Sequence, residues 1–280
     1  MAGAMHSATK KASTGATKGV TNSATGRLGR YWRVAATGIS FAAFGIGGLL
    51  LRVLVFPLLQ LVVRERQRRI AAARTIIRLA FRGFVGLMRG LGVLDYEFIG
   101  RERLERGGQL ILANHPTLID TIFLMAFVKR ADCIVKSHLW NNPFTSGPVR
   151  AAGYISNESG AELVDACIAS LRAGNNLIIF PEGTRTPAGG AISLKRGAAN
   201  IAVRGARAVT PVVIGCQPPT LGKGDKWWRV PDRFVQFRLE VKDDIEIARF
   251  IEGGASEVMA VRHLTDHLQQ FFTGEYQGHA

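Results

Sequence analysis

The sequence predicts an α/β domain behind an N-terminal membrane-embedded helical segment. Three observations carry this. Val34 to Leu51 is free of charge, a short apolar run Leu110 to Leu112 precedes the longer apolar stretch Leu118 to Val128, and a second short run, Leu177 to Phe180, ends in Pro181-Glu182-Gly183-Thr184-Arg185. Short apolar runs bounded by turn signals suit strands buried on both faces, longer ones suit helices, and their alternation marks an α/β layer structure.

Taken in order, residues 1 to 30 are rich in Ser, Thr, Ala, Gly and Lys, with almost nothing to bury, and read as a disordered basic tail. Transit peptides share this acid-poor character, but no arginine-rich amphipathic helix is evident, and the apolar run starts too late for a secretory signal. Residues 31 to 63 form the hydrophobic membrane segment. Apolar character resumes after Arg52 through Val53 to Val63, and Gly45, Gly47, Gly48 and Pro57 invite a bend. Lysines and arginines flank both sides, so the charge rule names no orientation, and a bent helix pair dipping into one leaflet is favoured over a single span.

Residues 64 to 92 read as an amphipathic basic helix. Ile70, Ile77, Phe81, Phe84, Leu87, Met88 and Leu91 recur at helical spacing among Arg66, Arg69, Arg74, Arg78 and Arg82. Such a helix either lies on anionic lipid or covers the following domain with a solvated basic face. Residues 93 to 280 carry the strand-and-helix alternation. Tyr96 to Ile99 opens it, and Cys133-Ile134-Val135 forms a strand ending at Lys136. A helix running to about Arg172 is opened by a Ser159-x-x-Glu162 capping box and stopped by Gly174.

The formal net charge of +15 and pI near 10.6 favour anionic partners, either nucleic acid or anionic lipid. No acidic residue occurs before Glu65, whereas that stretch carries Lys10, Lys11, Lys18, Arg27, Arg30, Arg33, Arg52 and Arg64 around an apolar run, a combination that suits a bilayer and not a duplex. A basic patch from Lys223 to Arg229 with Trp227 and Trp228, together with Lys195 and Arg196, could meet head groups or a carrier protein, and no nucleic-acid module surrounds it. Cys133, Cys167 and Cys216 are too widely spaced for a zinc cluster and fit a reducing cytoplasm. His263 and His267 stand one turn apart but lack a third ligand, and read as the polar face opposite Val261, Leu264, Leu268 and Phe271; no metal is expected.

His115 and Asp120 are the most informative pair. An imidazole poised by a carboxylate can take a proton from an alcohol. Five residues apart inside a helix would face them differently, but a histidine at the strand-to-helix turn can fold back over the first turn. On its own the pair also fits a buried histidine with an incidental carboxylate. In the second segment, Gly183 lets backbone approach a ligand closely and Arg185 offers a fixed fork for phosphate or carboxylate; an ordinary loop with a surface ion pair is the alternative.

Together, Asn114-His115 with Asp120 and then Phe180-Pro181-Glu182-Gly183-Thr184-Arg185 resemble the glycerophospholipid acyltransferase family, which includes the lysophosphatidic acid acyltransferases. Gly153-Tyr154-Ile155, Ser193 to Ala199 with Lys195, and Val209-Thr210-Pro211-Val212 follow in the expected order, so the resemblance spans about Leu94 to Ile214. It implies a glycerol-3-phosphate acyltransferase-like fold, a mixed sheet flanked by helices, and a membrane-associated enzyme on the cytoplasmic face of the cell membrane. It implies acyl transfer from acyl-CoA or acyl carrier protein, without a cofactor, to a lipid hydroxyl, by default that of 1-acyl-glycerol-3-phosphate. His115 would be the general base and Asp120 its orienting carboxylate. Arg185 would bind the acceptor phosphate with Lys136 as a second candidate; Asn114, Glu182, Gly183, Thr184 and Lys195 would line the acceptor pocket, and Pro211 would set a turn near the acyl chain. Ser159 stands where many phosphate-acceptor members carry arginine. That departure keeps another lipid alcohol open, an aminolipid or a polyene-type lipid, beside a non-catalytic membrane-binding homologue and a thioester hydrolase.

Overall fold

Successive residues of the central strands point to opposite faces and feed two separate cores. In strand β2 (Leu110–Ala113), Ile111 and Ala113 join one apolar cluster while Leu110 and Leu112 join the other. The computed structural model describes residues 21–158, 162–186, 191–251 and 256–277.

The first helices are α1 (Thr21–Leu50), α2 (Phe56–Val62) and α3 (Arg66–Gly90). A π-helical stretch, Leu51–Val55, joins α1 to α2, with the Phe56 N–H donating to the Leu51 carbonyl. Pro57 has no N–H to offer the Val53 carbonyl, and the α-helical ladder gives way there to the wider one. The helical course therefore continues through Pro57, and Gly29–Val62 is long and apolar enough to cross a membrane. Among the glycines expected to bend it, Gly48 serves packing instead, because a Cβ there would stand 2.7 Å from the Phe144 carbonyl oxygen. The tail expected over residues 1 to 30 lies outside the described residues up to residue 20, and helix begins at Thr21.

Helix α1 lies along the domain. Ala36 and Ser40 are fully buried, Phe44 stacks on Phe81 and meets the edge of Phe84, and the helical course is held by Arg33 Nη2 to the Asp232 carbonyl at 2.8 Å and, in the π-helical stretch, by Arg52 Nη1 to the Pro143 carbonyl at 2.8 Å. Away from the domain, Ile46 of α1, Leu54 of the π-helical stretch and Leu58 and Leu61 of α2 are at least 60% exposed. Helix α3 buries Ala73, Ile77, Phe84, Val85 and Met88. Arg74, grouped by its spacing with the basic face, instead makes a buried ion pair with Asp132 at 2.8 Å, and Ser170 Oγ donates to the same carboxylate oxygen.

Then follow β1 (Leu94–Ile99), β2, α4 (Asp120–Phe127), β3 (Ala131–Val135), α5 (His138–Asn141), α6 (Ser146–Ala152), β4 (Ile155–Ser156), α7 (Leu163–Arg172), β5 (Asn176–Ile179), α8 (Gly197–Gly205), β6 (Val209–Gln217), β7 (Val235–Val241), α9 (Ala248–Ile251) and α10 (Glu257–Gln277). The sheet has seven strands in the order β1-β7-β6-β2-β5-β3-β4, mixed because β6 and β7 run antiparallel. Helices α1, α3 and α4 cover one face; α7, α8 and α10 cover the other. Helix α7 ends before Gly174 in the left-handed region, and Ser159 of the expected capping box lies outside the described residues.

Pro211 is a correction. It sits inside β6, opposite Leu112, and not in a turn. Its carbonyl accepts from Lys242 N on the β7 side, where the β7 ladder begins only at Val212, so the missing N–H faces a gap in the pairing.

Candidate active site

Strands β2, β5 and β6 run parallel and release their chains at one edge of the sheet, where crevices form in open α/β sheets. Asn114 leaves β2 first. Its Nδ2 donates to the Ile214 carbonyl at 2.8 Å and its Oδ1 accepts from Ile214 N at 2.7 Å, so the amide pins β2 to β6 and is occupied by backbone.

His115 follows at the turn, with its Nδ1 2.9 Å from Asp120 Oδ2. Asp120 is the first residue of α4 and is fully buried. Thr117 donates to it twice, from its N–H to Oδ2 at 2.6 Å and from Oγ1 to Oδ1 at 2.5 Å. The carboxylate thus closes the turn from Thr117 to Asp120 that leads into the helix and also fixes the imidazole. Burial pushes the Asp120 carboxyl up, and the bonds from His115 and Thr117 oppose that rise. With Nδ1 committed to Asp120, Nε2 is the nitrogen left to accept a proton, and no described residue bonds it.

Strand β5 delivers the second segment beside the first. The Phe180 ring stacks on the His115 ring with centroids 4.2 Å apart. Glu182, buried, accepts from His115 N–H at 3.0 Å and from Thr186 Oγ1 at 2.8 Å, while Thr186 N–H donates to the His115 carbonyl at 2.8 Å. The two segments thus hold each other across the strand ends. Burial raises the Glu182 carboxyl, against those same hydrogen bonds. Gly183 takes the left-handed conformation at φ 68°, and the Lys195 side chain lies over it, 2.9 Å from where a Cβ would stand. Thr184 is exposed beside them.

Arg185 Nη1 donates to the Leu221 carbonyl at 3.0 Å and the Gly222 carbonyl at 2.7 Å, gripping the loop after β6. Lys136 is exposed at the end of β3, two strands from β2, and no recorded contact joins it to His115. His263 and His267 sit on α10; His267 faces Arg249 at 2.7 Å, and no cluster of ligands for a metal occurs among the described residues. Thr117, Phe180 and Thr186 escaped the sequence reading as site residues, although Thr117-x-x-Asp120 carries a capping signal.

A cavity of about 550 Å³ opens between α1, α3 and the segment around α5 and α6. Phe44, Gly47, Phe81, Phe84 and Val149 are among its walls, and Thr121 and Met125 of α4 bring it to within one residue of Asp120. Its volume and apolar lining are those of a ligand pocket.

A buried carboxylate and an imidazole with one nitrogen outward stand at the carboxyl edge of a mixed sheet, and an apolar cavity opens under the helices on one of its faces, the arrangement of an α/β protein with a base-and-carboxylate pair. Residues 95–215 match the model of the Acyltransferase family. A Helicobacter pylori 1-acyl-sn-glycerol-3-phosphate acyltransferase is 33% identical over 117 residues, 39% of this chain and 49% of that one, and the Pseudomonas aeruginosa protein of the same name is 27% identical over 151 residues, 51% and 58% of the respective chains. The chain thus spans about half the length of the curated relatives it matches. The crystal structure of the 1-acyl-sn-glycerophosphate acyltransferase PlsC from Thermotoga maritima superposes with a TM-score of 0.58 over 86% of this chain and 96% of that one; at 20% identity it shows the shared fold.

Proposed function

We propose that the chain transfers a fatty acyl group from acyl-CoA or acyl carrier protein to the hydroxyl of a lipid acceptor, by default 1-acyl-glycerol-3-phosphate, giving phosphatidate. One observation carries the reading: the 2.9 Å contact of His115 Nδ1 with a fully buried Asp120, which leaves Nε2 as the base. Nε2 removes the acceptor's hydroxyl proton as that oxygen attacks the thioester carbonyl. The carbon–sulfur bond then breaks, the ester forms, and the leaving thiolate takes the proton back from the imidazolium. Among the described residues no serine or cysteine is hydrogen-bonded to or stacked on His115, which supports the acceptor oxygen itself as the nucleophile. The apolar cavity beside Asp120 takes the acyl chain.

Glu182, Thr186, Thr117 and Asn114 act by positioning. Arg185 grips the loop through Nη1 and offers its remaining donors to the acceptor phosphate, with Lys195 over Gly183 as the nearby second cation. Lys136 stands further off in the sheet order. Packing supports one mode of membrane attachment. A helical course held to the domain at Arg33 and again at Arg52 could cross a bilayer only by drawing a charged domain into hydrocarbon, which favours α1 lying in one leaflet with its exposed apolar face down.

The test is transfer from labelled acyl-CoA and acyl carrier protein by the purified protein in detergent, with lysophosphatidate and a total lipid extract as competing acceptors. His115→Ala should abolish product while leaving the fold intact. Full activity in that variant removes the base. Arg185→Gln, which keeps an amide donor for the loop carbonyls, should raise KM for a phosphorylated acceptor and not for an uncharged one; an equal change for both leaves Arg185 as a loop clasp only. Label found solely in another lipid keeps the mechanism and replaces the acceptor.

A further inference from the structure

The loop between β6 and β7, residues 218–234, is fixed at its base and bare at its tip. At the base, Leu221 is buried, and its carbonyl accepts from Leu118 N–H at 3.0 Å and from Arg185. At the tip, Trp227 and Trp228 pack edge to face with centroids 5.5 Å apart, yet they remain 43% and 49% exposed. Lys223, Lys226, Arg229 and Arg233 surround them, all exposed, against two acids in the same loop. Of those acids, Asp225 is engaged by Gly222 N–H at 2.8 Å, and Asp232 lies 3.6 Å from Arg30.

The loop's position gives this composition a meaning. Trp227 leans on α1, with its ring 3.2 Å from where a Cβ on Gly38 would stand, and Arg33 holds the Asp232 carbonyl. The loop therefore meets α1 where the charge-free run from Val34 begins, beside Tyr31 at 74% exposure and Trp32 at 53%. Four exposed aromatic side chains and the loop's cations thus lie on or near the Arg30–Gly38 stretch of α1, after which the exposed apolar residues of that helix follow. Tryptophan and tyrosine favour the boundary between head groups and hydrocarbon, and lysine and arginine there are attracted to anionic lipid.

We infer that the 218–234 loop is a second lipid-docking element, in which Trp227 and Trp228 enter the head-group region of an anionic bilayer while Lys223, Lys226 and Arg229 bind its charge. The occupant is an anionic lipid surface because the patch is both basic and continuous with an apolar face that only a bilayer covers along its length. Docking there also sets the height of the site above the bilayer, since the same loop is clasped by Arg185 through Leu221 and Gly222. This docking goes beyond the acyl-transfer reading and does not depend on it.

The experiment uses the full chain with vesicles of phosphatidylcholine alone or mixed with phosphatidylglycerol, each with and without brominated lipid. The tryptophan emission of wild type minus that of Trp227→Phe/Trp228→Phe isolates the loop. We expect this difference signal to shift to the blue and to be quenched by brominated lipid in anionic vesicles, with high salt reversing both. Lys223→Gln/Lys226→Gln/Arg229→Gln should weaken partitioning into anionic vesicles by on the order of a hundredfold and leave that into neutral vesicles unchanged. His115→Ala should behave as wild type throughout, so a failure of the proposed reaction leaves this readout standing. A difference signal that brominated lipid never quenches, while Trp32 is quenched, overturns the inference. So does quenching that is equal in neutral and anionic vesicles, or a loop signal that answers only to added acyl carrier protein.

Discussion

Replacing Thr117 with valine removes one hydroxyl from a site that is otherwise isosteric, and its consequences can be worked out in sequence. Oδ1 of Asp120 receives Thr117 Oγ1 at 2.5 Å, while Oδ2 keeps Thr117 N–H and His115 Nδ1. Asp120 is fully buried, so water does not replace the lost donor. A hydrogen bond to a charged group contributes about 1.5–3 kcal/mol, and Thr117→Val should lose that much stability near neutral pH. The sign with pH follows from the same bond. Burial already raises the Asp120 carboxyl and Thr117 opposes the rise, so the variant's folded pKa lies above that of wild type. The stability difference between the two proteins is complete above the variant's folded pKa and narrows as pH falls through both folded values, where neither carboxyl is charged. Activity tracks this through the imidazolium, which a protonated Asp120 no longer stabilises, so the acid limb of the kcat profile should move to higher pH. Thermal unfolding from pH 5 to 8, paired with pH–rate profiles, measures both effects, and Thr117→Ser should restore them. A valine variant with wild-type stability and an unmoved acid limb would falsify the coupling of Thr117 to Asp120.

Three further perturbations probe the scaffold around the site. Asp132→Ala strands a buried Arg74 and the Ser170 hydroxyl, and should cost about 3–5 kcal/mol in urea unfolding, whereas Arg74→Met/Asp132→Leu should recover much of it; equal losses in both variants would show that packing, not the charge, is at stake. Gly183→Ala places a Cβ at φ 68° under the Lys195 side chain and should cost about 1–2 kcal/mol while raising KM for a phosphorylated acceptor, and an unchanged KM would separate Lys195 from that acceptor. A Cβ at Gly47 meets nothing within 4 Å, so Gly47→Leu should fit into the cavity and shift donor preference to shorter acyl chains at undiminished stability; an unchanged chain-length profile would place the acyl chain elsewhere.

The central sheet was legible because β2 and β5 are buried on both faces and therefore read as unbroken apolar runs. The stretch from 138 to 156 was not, since α5 and β4 hold four and two residues, too short for any periodicity to show. Pro211 misled for a definite reason. Proline ordinarily marks a turn or a sheet edge, and its place inside β6 is tolerable only because β7 starts pairing one residue later, a fact of register with no trace in local sequence. Arg74 misled likewise: its spacing places it on a solvated helix face, and only the proximity of Asp132, far along the chain, makes it a buried partner.

The site divides along the same line between local and distant information. His115 and Asp120 lie five residues apart in sequence, so they could be singled out as a candidate pair and weighed with the second segment, whereas Phe180 and Thr186 meet His115 only because β5 lies next to β2. Asn114 shows the limit from the other side. Its place next to His115 invites a binding role, and its amide also matches the donor and acceptor of Ile214, a pairing with β6 that only the fold reveals. Arg185 combines both kinds of information. Its guanidinium was legible as an anion fork, and its grip on Leu221 and Gly222 was not, yet that grip holds the fork in place and joins it to the tryptophan-bearing loop. An arginine with two such duties cannot be assigned from loss of activity alone. Removing it should disturb acceptor affinity through charge and loop height through the two carbonyls, and only acceptors that differ in charge, presented from the same bilayer, separate the two effects.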